Sequence, residues 1–186
     1  QTQEGLKNIY KLVSMSHLNY FYKRPRIPKS VLLAHREGIL IGSACEAGQI
    51  YRAFLENRSE AEIESIAQLD YFEIQPLCNN QFLVDQGKVS GTEELKDINR
   101  KIIALGEKQG KPVVATCDAH YAEPGHAIYR QILMAGQGYK DVEDGTGLFM
   151  RTTEEMLAEF SYLGEETAHR VVIEGPNEVA GRIERL

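Results

Sequence analysis

Three short apolar runs, each followed by residues at helical spacing, constrain this chain more than any other feature. They are Ile39-Leu40-Ile41-Gly42-Ser43, Tyr71-Phe72-Glu73-Ile74-Gln75 and Pro112-Val113-Val114-Ala115-Thr116. The first is fully apolar and rich in β-branched residues, the pattern of a strand buried on both faces of a parallel sheet. Helical patterns follow at 46–56 and 59–69, at 93–109 and at 125–136. The order strand, helix, strand, helix, strand, helix predicts a parallel α/β unit. Closed barrels use about eight strands, so three predict a sheet that is incomplete without a further segment. The chain's 186 residues suffice for one domain with a real core, and residues 1–186 read as parts of one unit.

The flanking sequence is read in the same way. Ile9, Leu12, Val13, Met15 and Leu18 have the spacing of an amphipathic helix over 6–19. Pro28-Lys29-Ser30 opens a second, short helix that Gly38 stops. Ser59 with Glu62 three residues on forms a capping box. Residues 77–92 read as an irregular loop around Phe82-Leu83-Val84, and Gly110 closes the helix at 93–109. Gly136 to Gly147 reads as a glycine-rich loop. Helices are expected at 153–161, 164–174 and 176–186, the last opened by Pro176-Asn177.

Charge and cysteine usage narrow the function classes. The formal net charge of -6 argues against this piece being the main nucleic-acid grip, which needs clustered Lys and Arg. Residues 1–37 nevertheless hold seven Lys and Arg against two Glu, peaking at Tyr22-Lys23-Arg24-Pro25-Arg26. Lys23, Arg24 and Arg26 read either as a solvated turn between prolines or as a phosphate or interdomain contact. Cys45, Cys78 and Cys117 are too few and too widely spaced for a disulfide framework or a CxxC zinc module, which predicts a cytoplasmic home. No apolar run approaches the roughly 20 residues that cross a bilayer, so no membrane partner is expected. The first residues, Gln1-Thr2-Gln3-Glu4-Gly5, lack an initiating Met and a signal-peptide pattern, as expected of a piece of a longer chain.

Residues able to carry chemistry sit where parallel α/β folds place them, beyond the carboxyl ends of strands. Cys45 follows the first predicted strand, and Asp118 and His120 follow the third. If the extended conformation continues to residue 120, Asp118 and His120 share one side and Cys117 faces the other. Carboxylate and imidazole together bind borderline divalent metals, and a thiolate tilts the choice toward zinc. An isolated Asp-x-His is weak evidence, because such residues commonly act as caps. Cys45 alone equally fits a small buried hydrophobe. Glu46 beside Cys45, and Glu73 on the second strand, are supporting candidates. Cys78 and Cys117 read as bystanders, and His17, His35, His126 and His169 as helix positions without a partner at ligand spacing.

Several stretches resemble one family closely. Gly5-Leu6-Lys7-Asn8-Ile9-Tyr10-Lys11-Leu12-Val13-Ser14, Ser16-His17-Leu18-Asn19-Tyr20-Phe21-Tyr22 and Arg24-Pro25-Arg26-Ile27-Pro28 are similar to the PHP region of PolC-type DNA polymerase III. So are Gly42-Ser43-Ala44-Cys45, Glu73-Ile74-Gln75-Pro76, Asn79-Asn80-Gln81-Phe82-Leu83-Val84, Asp118-Ala119-His120-Tyr121 and Phe149-Met150-Arg151-Thr152-Thr153. The resemblance runs end to end. It implies the later part of a distorted (β/α)7 PHP barrel, incomplete without its N-terminal half and ending in helices. It also implies a cluster of divalent metals, zinc or manganese, in which Cys45, Asp118 and His120 match late ligands. The family's first His-x-His motif and a further ligand His lie outside this sequence. The implied partners are the N-terminal PHP half, the exonuclease inserted before this segment and the polymerase core, with DNA reached through the parent chain.

Two functional readings follow from the resemblance. One is a scaffold with a partial metal site that supports a polymerase performing DNA-directed DNA synthesis. The other is a metal-dependent phosphoesterase, hydrolysing phosphodiester or pyrophosphate bonds once the domain is complete. Missing strands also predict exposed apolar edges and self-association of the fragment.

Overall fold

Local signals set several helix boundaries. Thr2 caps α1 (Gln3–Leu18), its hydroxyl accepting from Gly5 N–H at 3.2 Å. Pro28 precedes α2 (Lys29–Ala34). Ser59 and Glu62 form the expected reciprocal capping box on α4 (Glu60–Ile66), which follows α3 (Gln49–Leu55).

The computed structural model describes residues 1–139 and 147–185 and divides the chain into two compact units. One comprises Gln1–Ile41 with Glu178–Leu186, the other Gly42–Asn177. In the first, α1 lies close against the turn at Gly38: a Cβ on Gly5 would fall 1.8 Å from the Gly38 carbonyl oxygen, so only glycine fits. Asn8 donates to Glu37 O at 3.0 Å, and the Gln1 amino group to Gly38 O at 2.6 Å. The buried positions of α1 are therefore Gly5, Asn8, Leu12 and Ser16, one stripe at helical spacing. The expected apolar stripe is rotated away from it: Ile9, Val13 and Leu18 are exposed.

The second unit is built on two parallel strands, β1 (Phe72–Ile74) and β2 (Val113–Ala115), in register Phe72↔Val113, Glu73↔Val114 and Ile74↔Ala115. The crossover between them contains a 3₁₀ turn (Leu77–Asn80), α5 (Gln81–Asp85) and α6 (Thr92–Gln109). Residues 77–85 are thus helical rather than an irregular loop. Ile98, Ile102 and Leu105 of α6 pack with Phe72 and Ile74 of β1 and with Ile50 and Ala53 of α3 in one buried cluster. Gly106 lets α6 approach β2, since a Cβ there would meet Val113 Cγ2 at 2.4 Å.

The predicted strand over 39–43 does not form. Among the described residues its region contributes one parallel bridge, Gly42↔Tyr71. Gly42 supplies no side chain to a sheet face. Ser43 Oγ also accepts the Glu73 N–H at 2.8 Å, so a side chain takes the bond that a third strand would make through its backbone. Among the described residues the result is a mixed α/β fold, mostly helical, with two parallel strands.

Beyond β2, a 3₁₀ turn (Pro124–His126) leads into α7 (Ala127–Gly136). The expected loop from Gly136 to Gly147 lies largely outside the described residues. After α8 (Thr153–Glu159), α9 (Glu165–His169) runs through a π segment (Arg170–Glu174) into α10 (Gly175–Gly181). The expected break at Pro176 is absent. Proline lacks the N–H a regular turn needs, and the wider π turn immediately before it absorbs that mismatch.

Candidate functional site

The loop after Gly42 turns sharply. Ala44 adopts φ 60, a conformation that crowds a Cβ, and Gly48 N–H closes the turn onto Cys45 O at 2.8 Å. Cys45 is half-buried. Burial pushes its thiol up against an opposing hydrogen bond from the Ala47 backbone, and the carboxylates of Glu46 and Asp118 push it the same way as burial. Asp118 therefore acts on Cys45 from the neighbouring loop, and Glu46 from beside it.

Asp118 is also left-handed, at φ 52, so the chain does not continue extended beyond β2. The side-alternation argument for Asp118 and His120 fails for that reason, yet the two residues still meet. The turn brings His120 Nδ1 to 2.8 Å from Asp118 O and 3.9 Å from Asp118 Oδ1. A carbonyl only accepts, so Nδ1 is the donor, and in the neutral imidazole Nε2 then keeps its lone pair. That is the arrangement of a metal-binding imidazole oriented through its other nitrogen. The loop is held from outside by His120 N–H donating to Leu148 O at 2.8 Å and Met150 N–H to Tyr121 O at 2.9 Å.

Glu73 joins the two loops. Its carboxylate accepts from Thr116 Oγ1 at 2.7 Å and from Gln75 Nε2 at 3.2 Å, while its own N–H goes to Ser43 Oγ. Thr116 lies two residues before Asp118 and Ser43 two before Cys45, so one residue of β1 ties both candidate segments. This is more than the supporting role in one strand that its position predicts. Ser43 and Thr116 carry no distinguishing sequence pattern and are recognised only once the strands are paired.

The donors have the right chemistry for a borderline divalent ion, but the set is partial. Among the described residues no three His, Cys, Asp or Glu side chains gather closely enough to hold a metal. Asp118 and His120 make a pair, with Cys45 in the adjoining loop. No chemical step is derived through a metal on this basis. Lys23, Arg24 and Arg26 belong to the other compact unit.

Arg151 is the residue that sequence reasoning passes over. Its side chain is 2% exposed and donates from Nε to Glu159 Oε1 at 3.1 Å, from Nη1 to Gly147 O at 2.8 Å and from Nη2 to Cys78 Sγ at 3.0 Å. The guanidinium also lies 4.1 Å from the Phe149 ring centroid, and Cys117 Sγ donates to Phe149 O at 3.0 Å. Cys78 and Cys117 are thus parts of a brace around the segment that carries Leu148 and Met150. The available signal is Arg151 itself, directly before the Thr152 cap of α8.

The PHP-domain family profile matches residues 1–75. A PolC-type DNA polymerase III of Clostridium perfringens is 53% identical over 187 residues, covering 100% of this chain and 13% of that protein. The chain belongs to the PHP region of the PolC-type DNA polymerase III family. The same protein of Caldanaerobacter subterraneus subsp. tengcongensis is 54% identical over 183 residues, or 98% of this chain, and that of Halalkalibacterium halodurans 47% over 190 residues. The chain thus spans 13% of the length of each of these PolC-type relatives. Among the described residues no helix is long and apolar enough to cross a membrane.

Proposed function

We propose that this chain is a supporting part of a replicative polymerase, in which Cys45, Asp118 and His120 contribute to a divalent-metal site completed by donors elsewhere in a longer polypeptide. The observation that carries this reading is that Glu73 ties the segment before Cys45 to the segment before Asp118, while His120 is oriented through Nδ1 onto Asp118 O and the half-buried Cys45 thiol feels the Asp118 carboxylate. The complete domain is then a distorted (β/α)7 barrel, and the parent chain performs DNA-directed DNA synthesis in the cytoplasm. A zinc or manganese ion would bind free energy into the fold by joining segments that are distant in sequence.

In this role Asp118 and Cys45 supply negative charge, and Glu73 positions the two loops. The test is metal analysis and thermal melting of the longer polymerase, with and without chelator, and with Asp118→Ala/His120→Ala. Loss of metal and a lower melting temperature with DNA synthesis retained are expected. Full metal content and unchanged melting in the double variant would overturn the reading. Metal-dependent phosphodiester or pyrophosphate hydrolysis that disappears in the double variant would instead assign the site to catalysis.

A further inference from the structure

The basic segment after α1 differs in chemistry from the loops around Asp118. Tyr22 N–H donates to Arg24 O at 3.2 Å, with Lys23 at the apex in a left-handed conformation, φ 61. Pro25 and Pro28 follow and restrict the backbone, so the tip is organised in advance of binding. Phe21 is 57% exposed and Tyr22 61%, unusual for consecutive aromatic side chains, and Tyr20 beside them is 37% exposed. Lys23, Arg24 and Arg26 are exposed as well, and among the described residues none makes an ion pair with a carboxylate. Lys23 Nζ lies 5.6 Å and Arg26 Cζ 5.1 Å from the Tyr22 ring centroid, so two cations rest against one aromatic ring.

We infer that this tip binds a single strand of nucleic acid, its cations taking the phosphates and its rings taking unstacked bases. An exposed cation–π contact contributes only about 0.5–1 kcal/mol. A charge-assisted hydrogen bond to phosphate is stronger than a neutral one and releases counterions, so an arriving backbone draws Lys23 and Arg26 away from Tyr22. The ring face that they leave matches a base, and base–aromatic stacking contributes about 1–3 kcal/mol. A duplex cannot use the rings, because its bases are already stacked. Net charge argues against a general polyanion grip by the chain, but the excess of cations over carboxylates is confined to residues 1–37. The inference is independent of the metal reading.

The chain contains nine Tyr and no Trp, so tyrosine emission reports stacking directly. Labelled (dT)12 and (U)12 are titrated by fluorescence anisotropy across a salt series, with a 12-base-pair duplex as comparison. Binding of a single strand with quenched tyrosine emission, and at least tenfold weaker binding of the duplex, is expected; the tighter of the two single strands identifies the sugar. Phe21→Leu/Tyr22→Leu keeps apolar bulk without rings and should weaken binding about tenfold or more with the salt slope unchanged. Lys23→Gln/Arg24→Gln/Arg26→Gln should flatten the log–log salt slope by about 0.7 per cation removed. Variants are compared at equal helical content by circular dichroism. No binding at low salt, equal affinity for duplex, or ring variants that bind like the parent would each overturn the inference.

Discussion

Ala44 holds a left-handed backbone with a side chain that penalises it by about 1–2 kcal/mol. Glycine would remove that penalty and add about 0.5–1 kcal/mol of chain entropy to the unfolded state. Ala44→Gly is therefore expected to stabilise the chain by up to about 1 kcal/mol, read as a higher urea midpoint; a lower midpoint would show that Ala44 makes a compensating contact. Asp118 is left-handed too, but aspartate tolerates this conformation through local hydrogen bonding, so it should show no comparable gain. The neighbouring thiol yields a second prediction. Metals bind thiolate, and the free Cys45 thiol is held above its ordinary value, chiefly by burial. Below that value the metal must displace a proton, so affinity should fall by about tenfold for each pH unit lowered, from the Cys45 contribution alone. Cys45→Ser should flatten this dependence in a zinc titration of the longer polymerase, and an unchanged slope would remove Cys45 from the ligand set.

At the scale of elements, α6 packs closely on β2 at Gly106. Alanine at Gly106 would improve helix propensity by about 1 kcal/mol, while overpacking in a core costs about 1–3 kcal/mol. The Cβ would sit 2.4 Å from Val113 Cγ2, and valine is stiff at χ1, so overpacking should win. Gly106→Ala is expected to lower stability by about 1–2 kcal/mol in denaturant melts; a stabilised variant would mean that α6 shifts freely. Helices of this kind were legible because their caps and apolar spacing are local: Ser59, Glu62 and Gly110 fall where a single turn of chain requires. The strand expected over 39–43 does not form, because strand formation depends on which partner takes each backbone group. No local pattern says that Ser43 Oγ will accept from Glu73 N–H. Asp118 and His120 were legible as a pair, although their meeting depends on a left-handed turn that the alternation rule does not contain. Glu73 as a tie, and Arg151 as a brace for Leu148 and Met150, became visible only with long-range pairing in place.

At the scale of the whole molecule, apolar surface remains uncovered where a stable monomer would bury it. The ten-residue helix α7 has no buried position, and Ile128, Ile132 and Leu133 are 52%, 61% and 68% exposed. These positions recur at helical spacing and form one stripe, with Tyr129 beside it. A contiguous apolar face of this kind marks a contact surface rather than ordinary scatter of surface hydrophobes. At high concentration the isolated chain has only other copies of itself to cover that stripe, so self-association is the expected consequence. Replacing Ile132 and Leu133 together by Glu puts charge in the middle of the stripe without touching the buried cluster around Phe72 and Ile98. Surface substitutions of this type change folding stability by no more than about 0.5 kcal/mol each. Sedimentation equilibrium should therefore show association weakened by tenfold or more, while the thermal midpoint moves little. Association that persists undiminished in this variant would assign self-contact to another face, of which the exposed side of α1, with Ile9, Val13 and Leu18, is the next to be charged.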